Sequence, residues 1–429
     1  MKRIGIVLFT SDLRLHDNFT LLQAIKENDE IIPLFCWDEV FMNRTQFGFS
    51  RMGEIRKAFL KKVLDDLHIQ LKAIGGYLLV KKGNQLDVLN ELLSNYRIFK
   101  VYTKKQVGIE EKRANEQIKK ILISKGVDFE EYSTSTMYHP SDLPFSMKSI
   151  PEVFTKFRKI VEKEAVVRMP VASPTKINSP VISKDLMNAT DFSFDFKFDN
   201  RSALPKLGGE PAALKHLNDY LFENQHLLHY KDTRNELHGC DFSSKLSQWL
   251  SLGCLSTKFI FHEVKRFEKE VKANESTYWL IFELLWRDFF RFSFKKHPLD
   301  YFQLHGILGN SERNAKINSE VLASWVNGET PNSFVNASMK ELKATGWTSN
   351  RMRQIVASYL IYDLEQDWRV GAAYFESQLI DYDVSSNWGN WAYIAGVGND
   401  PRSGRKFNTD KQEEQYDKDK CYQKIWNTI

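Results

Sequence analysis

The sequence predicts an α/β fold followed by an all-α one, and three observations carry this. Up to about residue 132, short apolar runs alternate with stretches whose apolar residues recur every three or four positions. From 133 to about 205, Ser, Pro, Asn and Thr recur, as in Ala172-Ser173-Pro174-Thr175-Lys176-Ile177-Asn178-Ser179-Pro180, which is the composition of a connector. Beyond that, helical periodicity dominates and strand signals vanish. The expected division is 1–132, 133–205 and 206–429.

In the first part, strands are expected at 4–9, 30–35, 77–80, 99–103 and 128–132, and helices at 51–71, 86–93 and 114–122. Strands alternating with helices over short connections argue for a parallel, Rossmann-like sheet covered by helices. No G-x-G-x-x-G follows the first strand, so the dinucleotide fingerprint is absent. One helical stretch, 151–164, interrupts the connector.

Composition sets limits. A chain of 429 residues with 42% hydrophobic content suits a globular protein of two or three domains. The 30 Phe, 16 Tyr and 10 Trp make stacking surfaces plentiful, and the net charge of +5 permits a basic patch without requiring a nucleic-acid partner. Cys36, Cys240, Cys254 and Cys421 form no CxxC, which argues against a disulfide framework and an iron–sulfur cluster and for a reducing, cytoplasmic setting. His226 and His229 are three apart but have no further ligand nearby, so no metal is expected. No apolar run approaches the roughly eighteen residues of a membrane span. The first nine residues read as a buried strand rather than a signal sequence, because Asp12 and Arg14 follow at once.

Four segments of the helical part carry chemistry. Tyr230-Lys231-Asp232-Thr233-Arg234-Asn235 is followed by Ser243-Ser244-Lys245-Leu246-Ser247, whose hydroxyls, backbone N–H groups and cation could cradle phosphate or simply cap a helix. In Trp279 to Arg291, helical spacing puts Glu283, Trp286, Arg287 and Phe290 on one face, suited to a base or to an ordinary Glu–Arg pair beside a core Trp. Asn350-Arg351-Met352-Arg353-Gln354 offers Arg353 as a buried partner for Asp381. Asp381-Tyr382-Asp383-Val384-Ser385-Ser386-Asn387-Trp388-Gly389-Asn390-Trp391 crowds charge, carboxamide and indole, an environment for a planar redox cofactor rather than for a plain core. Asn387 both donates and accepts, so it can face a flavin N5 with or without a proton.

With these motifs the chain resembles the photolyase/cryptochrome family, in its cryptochrome-DASH branch. The resemblance also runs through Ser11-Asp12-Leu13-Arg14-Leu15-His16-Asp17-Asn18, Gly48-Phe49-Ser50-Arg51-Met52-Gly53, Leu143-Pro144-Phe145, Pro151-Glu152-Val153-Phe154-Thr155-Lys156-Phe157-Arg158 and Asn387 to Arg402. It implies an N-terminal antenna domain and a C-terminal helical domain holding FAD. Tyr230, Ser243, Ser244, Lys245, Leu246 and Ser247 match phosphate contacts. Asp381 and Asp383 match contacts to the ribityl and ring edge, Arg353 the pairing Arg, and Asn387 the N5 partner. Glu283, Trp286, Arg287, Asn350 and Arg351 match the lesion pocket. Gln354 and Tyr393 are the DASH-like choices where dimer photolyases carry Met and Trp, which widens the pocket and removes a stacking plate. Trp391 and Trp368 match the first two tryptophans of a photoreduction chain. Glu111 matches the anchor of an antenna, 5,10-methenyltetrahydrofolate.

The implied reaction is light-driven repair of cyclobutane pyrimidine dimers by electron transfer from reduced FAD, preferentially in single-stranded DNA. The implied partner is single-stranded DNA with such dimers, or other nucleic acid; the expected protein is a monomer without a membrane. The alternative is a blue-light photoreceptor. The chain's stop at Ile429, without a long tail, is expected to favour repair, and the absence of a His pair near Asn350 disfavours six-four repair. Three departures stand out. Ala315 occupies the third tryptophan position, leaving Trp325, Trp388 or Tyr374 to carry charge outward. Asn336, in Thr330-Pro331-Asn332-Ser333-Phe334-Val335-Asn336-Ala337, replaces an acid at a helix start. Gln248 stands where Pro is usual, with little effect expected.

Overall fold

A computed structural model describes residues 2–38, 40, 43–183, 198–205, 208–309, 315–400, 402 and 404–428. Of the sequence expectations, Pro401, Ile429 and positions 184–197 of the connector lie outside the described residues.

Five strands, β1 (Ile4–Phe9), β2 (Glu30–Trp37), β3 (Leu79–Lys82), β4 (Ile98–Lys104) and β5 (Asp128–Tyr132), form one parallel sheet in the order β3-β2-β1-β4-β5. The central strand β1 is apolar throughout because both its faces are covered, and Ile6 registers with Ile32 on one side and Val101 on the other. Helices α2 (Glu54–Ala73), α3 (Gln85–Asn95) and α4 (Ile109–Ser124) fall where the periodicity puts them. Two details differ from expectation. Helix α1 (Phe19–Glu27) joins β1 to β2; its two turns are too short to register as periodicity, and it is capped by Asn18, which accepts from Leu21 N–H at 3.1 Å. Strand β3 starts two residues late, because its ladder pairs Leu79 to Lys82 with the end of β2.

The strand order reverses between β1 and β4, the place where open α/β sheets take ligands. Here that crevice is filled. Lys104, buried at the end of β4, donates to Ser11 O at 3.0 Å, and Gln106 Nε2 donates to Thr10 Oγ1 at 3.0 Å. The missing glycine fingerprint thus agrees with the geometry.

The segment Ser11 to Asn18 ties the sheet to the helical part. Arg14 donates to Gly253 O (2.8 Å) and Thr134 O (3.2 Å). Glu210 takes the N–H groups of Leu15 and His16 and pairs with His16 Nδ1 at 2.6 Å. Lys258 meets Asp17 at 2.8 Å. One apolar core runs continuously from Val7 and Phe59 to Trp249 and Phe289. Helix α5 (Phe154–Glu164) of the connector packs on the long helix Glu275–Lys296. There Asp288 accepts from Met137 N–H (3.0 Å) and Tyr138 N–H (2.9 Å).

The doubt raised by Asn336 resolves simply. Asn332 caps the helix Ser333–Thr345, accepting from Val335 N–H at 2.9 Å. Asn336 serves the preceding turn with both ends of its amide: Oδ1 accepts from Thr330 N–H (2.9 Å) and Nδ2 donates to Thr330 O (2.7 Å), two roles a carboxylate could not combine. No described helix is long and apolar enough to cross a membrane, and the described residues hold no cluster suited to a metal.

Candidate active site

Helices Asn350–Ser358, Trp368–Gln378 and Val384–Ala395 converge on a cleft of about 560 Å³, open at one side. Asn350, Arg353, Gln354, Phe375, Asp381, Asp383, Asn387 and Trp391 line it, so seven of the residues singled out in the sequence meet here.

Side-chain caps set these helices. Ser349 accepts from Met352 N–H and starts the first; Asp383 accepts from Ser386 N–H at 3.0 Å and starts the last. Arg353 Nε donates to Thr348 O, and Nη2 meets Asp381 Oδ2 at 2.9 Å, the pairing expected from sequence. Asp381 Oδ1 is buried in the cleft wall with no protein partner. Asp383 pairs with Arg291, a partner the sequence reading did not single out. Burial disfavours the Asp383 charge, but Arg291 and Arg287 prevail and hold its carboxyl well below the usual range. Asn387 Nδ2 donates to Ala372 O at 3.0 Å, which fixes the plane of its carboxamide. Trp391 presses its ring end on Gly371 and meets Phe375 edge-on at 5.2 Å.

Tyr230 and Ser244 are buried, Ser243 is half-buried and Ser247 exposed. Neither Ser243 nor Ser244 caps the following helix: Leu246 precedes Ser247–Leu252 and its side chain makes no cap, so the helix-cap alternative fails. Lys245 has φ +50° and lies buried over the Trp347 ring at 4.1 Å. Burial lowers its ammonium to about 8. A buried cation without a salt-bridge partner among the described residues, beside serine hydroxyls, suits a phosphate. Gln248 is fully buried, with neither amide end bonded within the protein, so this departure from Pro is not neutral.

The residues matched to a lesion pocket are held by contacts of their own. Glu283 pairs with Arg234, and burial raises its carboxyl above the usual range although Arg234 opposes this. Arg351 donates to Gln354 Oε1 and Asn235 Oδ1, both at 3.3 Å, and faces the Tyr416 ring. Asn350 is exposed. Trp286 stacks on Phe154 at 3.7 Å and 13°, and meets Tyr393 edge-on at 5.7 Å. The Tyr393 hydroxyl is held by Arg405, itself paired with Asp400. Two contacts refine this group. Arg287, one turn on from Glu283, donates to Ser135 O (2.6 Å) and Leu250 O (3.2 Å), because its long side chain reaches back to the connector. Trp286 has one ring face covered by Phe154, leaving a single plate.

Trp368 is buried, with its indole N–H on Leu304 O at 3.0 Å, and Ala315 is exposed. Glu111 begins α4, accessible to solvent but ringed by protein that raises its carboxyl; Glu110 beside it pairs with Arg51.

A cleft with an anchored carboxamide, a half-used carboxylate and an adjoining phosphate cradle is the site of a flavin protein. The orphaned Asp381 oxygen fits the isoalloxazine edge of FAD, and Lys245 fits its diphosphate. A profile for "DNA photolyase" matches residues 5–175, and one for "FAD binding domain of DNA photolyase" matches 279–427. Cryptochrome DASH of Synechocystis sp. is 42% identical over 98% of this chain and 86% of its own, and that of Xenopus laevis is 41% identical over 99% and 82%. The crystal structure of the Synechocystis cryptochrome superposes with a TM-score of 0.95 at 42% identity, covering 99% of this chain and 88% of that one. A class III photolyase from Agrobacterium tumefaciens gives 0.82 at 25% identity, covering 99% and 86%. The chain belongs to the photolyase/cryptochrome family, in the cryptochrome-DASH branch.

Proposed function

We propose that the protein repairs cyclobutane pyrimidine dimers in light, preferentially in single-stranded DNA. The observation that carries this reading is that Gln354 in the cleft wall accepts from Arg351, whose other bond goes to Asn235, the neighbour of the Arg234 that pairs with Glu283. When bound, FAD would supply the light absorption and the electron that the repair needs. The chain's own groups bind and orient. Tyr230 and the loop Ser243 to Ser247, with Lys245 and Leu246 at its centre, hold the diphosphate. Arg353 fixes Asp381, whose free oxygen accepts from the ring edge, while Asp383 keeps its charge beside Arg291. Asn387 presents its carboxamide to N5.

On the lesion side, Glu283 hydrogen-bonds a pyrimidine carbonyl or N–H, held in place by Arg234. Arg351, with Asn350 and Gln354, meets the backbone. Trp286 offers its one open face and Tyr393 its edge. A pocket with a single full stacking plate returns little of the stacking lost when a lesion leaves a duplex, which favours single strands. Glu111 is the proposed anchor of a folate antenna. The protein is proposed to act as a cytoplasmic monomer.

The test is to illuminate the reduced, FAD-loaded protein with a single-stranded oligonucleotide containing one thymine dimer and count restored thymines. Restoration in light and none in the dark is expected. No restoration with FAD demonstrably bound would overturn the enzyme reading and leave the photoreceptor.

A further inference from the structure

Position 315, next to Trp368, bears no ring. Ala315 is exposed, and Lys316 O accepts from the Asp367 N–H at 2.9 Å, so the chain passes directly beside the start of the Trp368 helix. A positive charge arriving on Trp368 therefore lacks an aromatic step toward solvent at this point. Of the tryptophan and tyrosine rings nearby, Trp325 and Trp388 adjoin the pair Trp391 and Trp368, and Tyr374 adjoins Trp325. Trp325 meets Trp391 at 6.3 Å, Tyr374 meets Trp325 at 5.6 Å, and Trp388 crosses Trp368 at 5.9 Å and 76°.

Their polar contacts separate them. The Trp325 indole N–H donates to Val356 O at 3.3 Å, and the Tyr374 hydroxyl donates to Val326 O at 3.4 Å. A backbone carbonyl does not take up a proton. The Trp388 indole N–H donates instead to the carboxyl oxygen Glu376 Oε2 at 3.2 Å. An indole that has lost an electron is a far stronger acid than a neutral one, so the ring facing a carboxylate is the one where the charge becomes trapped.

Glu376 is suited to receive the proton. It is buried, and accepts from the Tyr382 hydroxyl at 2.9 Å. Arg56 of α2 lies over the Tyr382 ring at 4.8 Å, and its Nε and Nη1 have no partner. Arg51 before α2 and Glu111 of α4 complete the charged groups around it. The two guanidinium groups favour the carboxylate beforehand, while burial and Glu111 raise its affinity for a proton.

We propose that Trp388 and Glu376 form the proton-coupled end of the photoreduction route in this chain. Trp388 gives one electron to oxidised Trp368, which returns to its neutral form, and the Trp388 Nε1 proton passes to Glu376 Oε2. The electron acceptor for the whole sequence is the photoexcited, oxidised isoalloxazine. What remains is a neutral tryptophanyl radical at Trp388 beside a protonated Glu376, so no charge is left at this end of the route and the negative charge has moved from Glu376 to the electron acceptor.

The inference rests on FAD occupying the cleft, and the flavin absorbance of each sample distinguishes loss of cofactor from loss of the terminus. Oxidised, FAD-loaded protein is flashed with blue light, and the tryptophanyl radical is followed by transient absorption and electron paramagnetic resonance in H₂O and D₂O. A neutral radical that forms more slowly in D₂O is expected in the wild type. W388F is expected to lose it, and E376Q to retain the ring but leave only the protonated radical. W325F and Y374F are expected to keep the neutral radical. If W388F fails to bind FAD, E376Q decides alone. A neutral radical that survives in E376Q, or that disappears in W325F while persisting in W388F, overturns the assignment.

Discussion

Arg353 meets Asp381 through Oδ2 alone, at 2.9 Å, and leaves Oδ1 buried without a partner. A carboxylate oxygen in this state is costly unless something outside the chain donates to it. D381N is therefore expected to weaken FAD binding by roughly 1.5–3 kcal/mol, about ten- to a hundredfold, since a hydrogen bond to a charged group is lost. Fluorescence titration of the apoprotein with FAD measures this. Unchanged affinity would move Asp381 away from the cofactor.

Lys245 supplies a second handle. Its ammonium, lowered to about 8 by burial, is charged below that pH and neutral above it. FAD affinity is expected to fall as pH rises through about 8, and in K245M to be weaker throughout and to lose that dependence. Titrations on both sides of this pH check the sign; bound phosphate raises the group, so the fall shifts upward when FAD is saturating.

Glu341 is fully buried between Tyr422, which donates to its Oε2 at 2.6 Å, and the Lys245 region. Burial pushes its carboxyl from 4.5 up to about 7. The folded state therefore holds a proton that the unfolded state releases, and stability falls as pH rises from about 4.5 to about 7. The fall is on the order of a few kcal/mol. Urea unfolding across this range should show it, and E341Q should remove this component of the slope.

Arg287 gives a test of where its guanidinium acts. Because its guanidinium is spent on the carbonyls of Ser135 and Leu250, R287M is expected to cost about 2–4 kcal/mol of stability by leaving them unpaired. Its affinity for single-stranded DNA should stay near wild type. Thermal unfolding and a binding titration separate the two; a selective loss of DNA binding would restore Arg287 to the lesion side.

Gln248 is expected to be a liability. Replacing its unbonded, fully buried amide by Leu should raise stability by about 1 kcal/mol or more. If Q248L instead weakens FAD binding, the amide contacts the cofactor.

How much of this was legible in the sequence depends on range. The strands β1 and β2 announced themselves as short, largely apolar runs, and the helical half by its period. Arg353 with Asp381 was readable because both lay in short, unusual segments. The partner of Arg287 was not, since helical spacing gives a face but not the reach of a long side chain to Ser135, far away in sequence. Phe154 on Trp286 was hidden likewise, as a contact between the connector and a distant helix. Arg291 beside Asp383 and Glu376 beside Trp388 were present in the quoted segments or next to them, but charged residues on helices usually face solvent, and only packing shows these do not.

The bonds from Arg14, His16 and Asp17 into the helical half, over a shared core, tie the two lobes together among the described residues. Excitation handed from one pigment to another by dipole coupling weakens steeply with separation and vanishes at unfavourable angles. In a molecule riveted this way, a chromophore seated near Glu111 would keep one distance and one tilt relative to the cleft, and the efficiency of the relay would be a constant of the fold rather than an average over its motions.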